Sequence, residues 1–289
     1  MLEFMEFNNE VKNILEERLG EKVEISDTTR NNHIIKIGLI FPENKVSPFI
    51  YMDDYYKDYR KKKYSIEEIA EHIIEIKKEN DISNFDIDFV MNFDKVKDKI
   101  ILQVINKTMN MSLLETTPYI DIVGDICFIF KIKVDLDGSE NRNTTIRVSN
   151  QFLNEWGITK EELYRIAEKN TIKNHPTEMD QLSKLFPEEV EVPPNSFVVF
   201  RNDLGAAPAF IPSEIKKYAE LVDGDVYIIP SSTEEALLIE KDNNTDKAFV
   251  EQMTELLKYM NFGELSPEIV LSNHMYCYHK EENRYSVLS

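Results

Sequence analysis

The chain has 289 residues and carries 53 acidic against 34 basic side chains, a formal charge of −19. A surface this negative opposes the basic footprint that tracks nucleic-acid phosphates, and opposes docking on anionic lipid. At 42% hydrophobic and 30% charged the chain can build a core, and eight glycines with two cysteines exclude collagen-like, linker-like and disulfide-framework classes.

Met1 to Glu10 has no basic n-region, no unbroken apolar core and no small-residue cleavage site, so no signal peptide is expected. Phe4, Phe7, Val11, Ile14 and Leu15 share one face and predict a helix over 3–19, stopped by Gly20. Two strands follow, and in the second Ile35, Ile37, Leu39 and Phe41 alternate with period 2. Residues 48–52 read as a short strand leading into the charged, tyrosine-rich segment 53–63. Ser65 and Glu68 form a capping box for a helix that buries Ile66, Ile69, Ala70, Ile73 and Ile74. A strand is expected over 100–105. The clearest strand is 126–134, with Ile126, Phe128, Phe130, Ile132 and Val134 on one face, and Asp137-Gly138 turn it back toward 144–148 as an antiparallel hairpin. The stretch 119–134 is the most apolar in the chain, yet Asp121, Asp125, Lys131 and Lys133 bar it from a bilayer.

Thr159 and Glu162 open a second capped helix to about 173, and Met179, Leu182, Leu185 and Phe186 suggest a short one after it. The proline-rich stretch 187–195 reads as a connection. Strands are then expected over 197–201 and 207–211, a helix over 213–222, and strands over 225–229 and 235–240. A long helix over 246–260 is expected to turn Phe249, Met253, Leu256, Leu257 and Met260 inward, with Gly263 ending it and a last strand over 274–279. The fold is α+β, with mixed or antiparallel sheets and helices packed on them. The β-β-α order recurs between 33 and about 157, which suggests two similar lobes or the chance recurrence of a common order. The expected division is an N-terminal lobe 1–150, a helical connection 151–195 and a C-terminal lobe 196–289.

Chemistry is constrained mostly by exclusion. No two glycines lie close together, which removes the Rossmann fingerprint, the P-loop and the kinase glycine loop. There is no Gly-x-Ser-x-Gly, no His-Glu-x-x-His and no Cys-x-x-Cys. Ser213-Glu-Ile-Lys216 matches Ser-x-x-Lys, but Ser213 at a helix start reads as a cap. His274-Met-Tyr-Cys-Tyr-His279 puts Cys277 and His279 on one strand face. A metal there would need a distant ligand such as Cys127, and the competing reading is a buried thiol with surface imidazoles. Both thiols are expected reduced in a cytosol. Asp121 and Asp125 flank Gly124, and Asp53, Asp54 and Asp58 cluster beside Arg60 to Lys63; hydrolysis or magnesium binding competes with a solvated charged face. No catalytic residue, metal or cofactor is assigned. The most site-like loops are 202–208 and 230–235, which nominate Asn202, Gly205, Ser231, Ser232 and Glu235 for binding, against ordinary turn chemistry.

Val198-Val-Phe-Arg-Asn202 with Gly205-Ala206, Tyr227-Ile-Ile-Pro-Ser-Ser232 with Glu235, and Val270-Leu-Ser-Asn273 with Tyr276 follow a family pattern. So do Ser47 to Tyr51 with Tyr55-Tyr56, Ile105-Asn106 with Leu113-Leu114, and Leu153 to Gly157 with Ala167 and Asn170. Over residues 5 to 280 the chain resembles a family of uncharacterised proteins of anaerobic Gram-positive bacteria, a domain of unknown function. The resemblance implies no activity, cofactor or partner. It does imply a histidine before the acid of the Pro-Ser-Ser loop, where this chain has Glu234.

The leading functional expectation is a cytosolic, non-enzymatic module that binds another protein, with no direct nucleic-acid or membrane contact. One alternative is an acidic decoy of a nucleic-acid-binding protein, as in mobile-element or defence systems. The other is a small-molecule hydrolase or transferase using the 202–208 and 230–235 loops with Asp121 or Asp125.

Overall fold

The computed structural model describes residues 1–42, 49–79, 87–134, 144–174, 178–185, 187, 192–200, 205–242 and 247–288. These form two compact units. One comprises the described residues of Met1–Arg30 and Ile34–Ile87; the other comprises those of Asn31–His33, Asp88–Asp135 and Glu140–Ser289. Compactness divides the chain differently from the expected 1–150, 151–195 and 196–289: each sheet draws on one stretch of sequence, but the strands of 100–147 group with those after 174 rather than with 1–87. The stretch 33–157 is split between the two units, whereas the described strands after 174 join one sheet.

In the first unit α1 (Phe4–Leu19) ends on Gly20, whose φ of 67° is the left-handed stop a side chain would resist. Strands β1 (Glu24–Thr29), β2 (Ile35–Ile40) and β3 (Ile50–Tyr51) form an antiparallel sheet in that order. The segment 53–63 contains a helix, α2 (Asp53–Arg60), whose tyrosines pack inward: Tyr59 stacks on Phe7 at 5.1 Å and Tyr56 meets Phe4 edge-on at 5.1 Å. Helix α3 (Ile66–Glu79) carries the capping box, with Glu68 N donating to Ser65 Oγ and Ser65 N to Glu68 Oε2. Phe7, Val11 and Leu15 of α1 meet Ile69, Ile73 and Ile74 of α3 over Leu39 and Ile50 of the sheet.

The second unit starts with short helices α4 (Ile87–Met91) and α5 (Phe93–Val96), then β4 (Ile100–Asn106), α6 (Met111–Leu114), β5 (Tyr119–Val123), β6 (Ile126–Val134) and β7 (Thr144–Arg147). Strand β6 is the axis of this four-stranded sheet. Strand β4 runs along one edge, while β5 and β7 share the other, β5 against 126–129 and β7 against 131–134. The 126–134 strand and its antiparallel hairpin match the sequence expectation; the Asp137-Gly138 connection lies outside the described residues. Helix α7 (Asn150–Trp156) precedes α8 (Lys160–Asn174), which is capped by Thr159 and Glu162 and pinned to β4 by Asn170 Nδ2, donating to the Lys97 and Ile100 carbonyls, and by Leu102 N, donating to Thr171 Oγ1.

A six-stranded antiparallel sheet follows, built from β8 (Glu178–Gln181), β9 (Ser196–Phe200), β10 (Val226–Ile229), β11 (Glu235–Glu240), β12 (Tyr276–His279) and β13 (Arg284–Val287), in the order β13-β12-β10-β11-β9-β8. Helix α9 (Pro212–Leu221) packs Tyr218 on Phe197 at 5.3 Å, and α10 (Lys247–Gly263) covers the opposite face through Tyr227, Ile239 and Cys277. Among the described residues all strand pairs are antiparallel, and no helix is long and apolar enough to cross a membrane.

Four local expectations are corrected. Residues 178–181 form an edge strand on β9 rather than the start of a helix, since cross-strand pairing overrides a weak helical period, and Leu182–Lys184 is a single 3₁₀ turn. Residues 207–210 form a 3₁₀ turn rather than a strand, because Pro208 cannot donate to a ladder. Helix α9 starts at Pro212 with Ile211 in the cap position, so Ser213 lies inside the first turn and makes no capping bond. Leu256 is 50% and Met260 38% exposed, whereas Leu257 and Thr254 face the sheet.

Phe7→Ala is expected to cost the first unit about 3–5 kcal/mol. Ile35→Ala, at a side chain 60% exposed on β2, should cost under about 0.5 kcal/mol. Denaturant-dependent amide exchange in α1 and α3 measures both, and equal costs would contradict this core.

Candidate functional site

Backbone ties the 205–206 turn to the 230–235 loop, and the Ser232 side chain closes that loop on itself. Gly205 is buried with φ +54°, and a Cβ there would stand 1.9 Å from the Thr233 carbonyl oxygen. Ala206 N donates to that same oxygen at 3.0 Å. Ser232 is buried, and its Oγ accepts from Glu234 N at 3.0 Å and Glu235 N at 3.2 Å, a serine turn that closes the entry to β11. Ser231 N donates to the Ile229 carbonyl, and the exposed Glu235 is the first rung of β11 against β9. Asn202 lies outside the described residues.

The paired carboxylates diverge. Asp121 pairs with Lys107 at 2.6 Å, whereas Asp125 turns into the fold. Its Oδ2 accepts from Asn106 Nδ2 at 2.7 Å, its Oδ1 accepts from Ser272 Oγ at 2.9 Å, and Tyr276 OH also donates to it. Burial first, and then this carboxylate, hold the Tyr276 hydroxyl well above the usual phenol range. In the 53–63 cluster, Asp54 pairs with Lys57 at 2.8 Å and Asp58 with Lys63 at 3.2 Å, the arrangement of a solvated face.

Two features stand out that periodicity and motif did not expose. The first is an open groove of about 780 Å³ between the end of α10 and the 267–273 segment. Met109, Tyr259, Phe262, Pro267 and Val270 supply its apolar lining. Phe262 is 97% and Tyr259 66% exposed. The groove wall is held by an asparagine lattice. Asn32, at φ 59°, exchanges bonds with Asn110 (N to Oδ1 2.8 Å, Nδ2 to Oδ1 2.9 Å), and its own Nδ2 donates to the Pro267 and Val270 carbonyls. Asparagine tolerates the left-handed backbone better than most residues. Helix α10 is therefore apolar on two faces: Phe249, Val250, Met253 and Leu257 against the sheet, and Leu256, Tyr259 and Met260 toward solvent.

The second feature is a row of side chains across four strands. The β10–β12 register pairs Val226 with Tyr278 and Tyr227 with Cys277, which places Asp225 opposite His279. Asp225 Oδ2 lies 3.0 Å from His279 Nδ1, and His279 Nε2 lies 2.8 Å from Ser286 Oγ on β13. Cys277 Sγ is 3.9 Å from the same Nδ1. Lys280 N donates to Asp225 Oδ1 at 3.1 Å, and Lys241 Nζ sits 3.2 Å from Oδ2. Burial opposes ionisation of Asp225, but the bonds from His279, Lys280 and Lys241 outweigh it and hold the carboxyl below its usual range. Burial pushes the Cys277 thiol up to about 11, so as a free thiol it is a poor nucleophile at neutral pH. The line Asp225–His279–Ser286 has the connectivity of a serine relay, yet Ser286 pairs with Cys277 inside an antiparallel ladder rather than standing on a sharp turn. Sequence reasoning found Cys277 and His279 on one face but missed Asp225 and Ser286, which only register supplies. Cys127, the distant ligand considered, packs instead with Ile105, Leu114 and Ile129.

Gly205→Ala is expected to cost more than about 2 kcal/mol, since about 1–2 kcal/mol comes from the left-handed backbone alone; a melting temperature close to wild type would contradict the close approach to Thr233. Asp225→Asn should cost about 1.5–3 kcal/mol near neutral pH, the worth of hydrogen bonds to a charged group. The native carboxyl titrates below its ordinary 3.8, so its contribution is full above that value and is lost as pH falls through the native one. The stability difference between wild type and variant, followed by thermal melts from pH 7 to pH 2, should therefore close in acid.

The model of a family of unknown function, DUF5688, matches residues 4–280. No curated protein matches the chain, and no solved structure does. The match covers Asn106, Asp125, the groove of α10 and the Asp225–His279 pair, and stops short of Ser286. With the match spanning nearly its whole length, the chain belongs to the family of unknown function DUF5688.

Proposed function

We propose that this protein is a binding module that recognises another protein through the groove at the end of α10. The observation behind this reading is the exposed pair Tyr259 and Phe262, joined to Met109, Pro267 and Val270 in one groove, with Leu256 and Met260 exposed on the same helix beside it. Water-facing aromatic and methionine side chains gathered at one place are a cost to an isolated monomer and the usual composition of an interface centre. The lattice of Asn32 and Asn110 holds the opposite wall, so little ordering is needed on binding.

The net charge of −19 selects the partner's chemistry. A segment with an apolar anchor flanked by lysines and arginines gains both from burying that anchor and from long-range attraction. A membrane or a nucleic acid would be repelled by the same field. A second copy of this acidic chain would meet like charge.

Phe262→Glu should weaken partner capture by about 30-fold or more, the loss of one central anchor of ~2 kcal/mol. Leu221→Glu, at a side chain 64% exposed on α9, should leave it unchanged. Affinity capture from the native cytosol with the three proteins, followed by binding isotherms on the recovered partner at two salt concentrations, tests this. The reading fails if capture is indifferent to Phe262→Glu, if the partner is acidic, or if sedimentation shows the groove filled by self-association.

A further inference from the structure

We propose that Asp225, Cys277 and His279 form a binding site for a divalent transition metal of the zinc class. The three donors come from neighbouring antiparallel strands and point from the same face. Antiparallel register sets Asp225 beside His279, and the period of two puts Cys277 on the face of His279. Their ligand atoms all lie within 4.8 Å of one another, with Nδ1 to Oδ2 at 3.0 Å and Sγ to Nδ1 at 3.9 Å. Bonds of about 2.0–2.3 Å to a tetrahedral ion place its donors roughly 3.3–3.8 Å apart. Closing on an ion widens the 3.0 Å pair by a few tenths of an ångström and draws the widest pair, at most 4.8 Å apart, inward by up to about 1 Å. Mixed sulfur, nitrogen and oxygen donors suit zinc, and sulfur excludes magnesium and calcium as the preferred ion.

The outer contacts are those a metal site needs. In the metal-free chain His279 Nδ1–H donates to Asp225 Oδ2; on metal binding the ring takes the other tautomer, whose Nε2–H donates to Ser286 Oγ, 2.8 Å away, and whose Nδ1 lone pair ligates. Lys280 N holds Asp225 Oδ1, leaving Oδ2 directed at the imidazole and the thiol. One cation already stands at the site: the Lys241 ammonium, 3.2 Å from Oδ2 on a side chain 40% exposed. That side chain can swing into solvent, so a divalent ion displaces it. Binding exchanges the Cys277 proton for the metal, giving a thiolate ligand and one released proton. Three protein donors leave a fourth position for water, the arrangement of an open rather than a closed zinc site.

Chelator-treated full-length protein titrated with cobalt(II) should show a thiolate-to-cobalt charge-transfer band saturating at one equivalent, and zinc should bleach it. Cys277→Ser should abolish the band, and zinc affinity from competition should fall by more than the ~100-fold upper range of an outer-contact loss. Ser286→Ala should weaken zinc by about 10–100-fold. Lys241→Met, which removes the competing ammonium and keeps the length of the side chain, should tighten zinc by up to about fivefold, the strength of an exposed ion pair. A wild-type protein with no such band overturns the proposal whatever the variants do. So does a band that survives Cys277→Ser, or weaker zinc binding by Lys241→Met.

Discussion

The second unit depends on one partly buried carboxylate. Asp125 stands at the turn between β5 and β6, where Lys107 N donates to its carbonyl and its side chain gathers Asn106, Ser272 and Tyr276. Asn106 ends β4, Ser272 belongs to the loop after α10, and Tyr276 opens β12. One side chain thus ties the edge of the four-stranded sheet to the six-stranded one. Asn106, Ser272 and Tyr276 are all fully buried, so each polar atom must find a partner there. Asn106 does so in full: Nδ2 donates to Asp125 and to the Leu271 carbonyl, while Oδ1 accepts from Thr108 and Met109 N. A satisfied network of this kind specifies one arrangement in a way that apolar packing alone does not.

The groove follows from that knot. Fixing 271–276 through Asp125 and Asn106 places the 267–270 segment within reach of Asn32, whose amide completes the wall. Asn261 then binds the end of α10 to the same loop by donating to the Ser272 carbonyl. Tyr259 and Phe262 of α10 are left lining the gap. Under the proposed binding role, recognition and stability share residues: the polar lattice that orders the loop also shapes the groove wall. The Asp225 row lies elsewhere in the six-stranded sheet, built from strand register and independent of the lattice.

Much of this was legible before any coordinate. Both capping boxes, the glycine stop after α1 and the 126–134 strand rest on local chemistry, a hydroxyl and a carboxylate three residues apart or a strict alternation, and local chemistry survives folding. The misses have two causes. Residues 178–181 were decided by which edge was open for pairing, which is not a local property, whereas 207–210 turned on Pro208, whose missing N–H the apolar pattern did not register. Leu256 and Met260 extended an apolar stripe convincingly, but a helix face becomes a core face only when something lies opposite it.

The amino-acid order alone determined an acidic α+β chain, its principal helices and strands, and the absence of glycine-built phosphate cradles, because each of these is set by neighbours within a few residues. Only the tertiary structure decided that Gly205 meets Thr233, that Asp121 and Asp125 part company, that Asp225 and Ser286 flank His279, and that α10 shows a second apolar face to solvent. Those outcomes depend on strand register and on which side of a helix is covered, quantities set by contacts between residues as far apart as Asp125 and Tyr276.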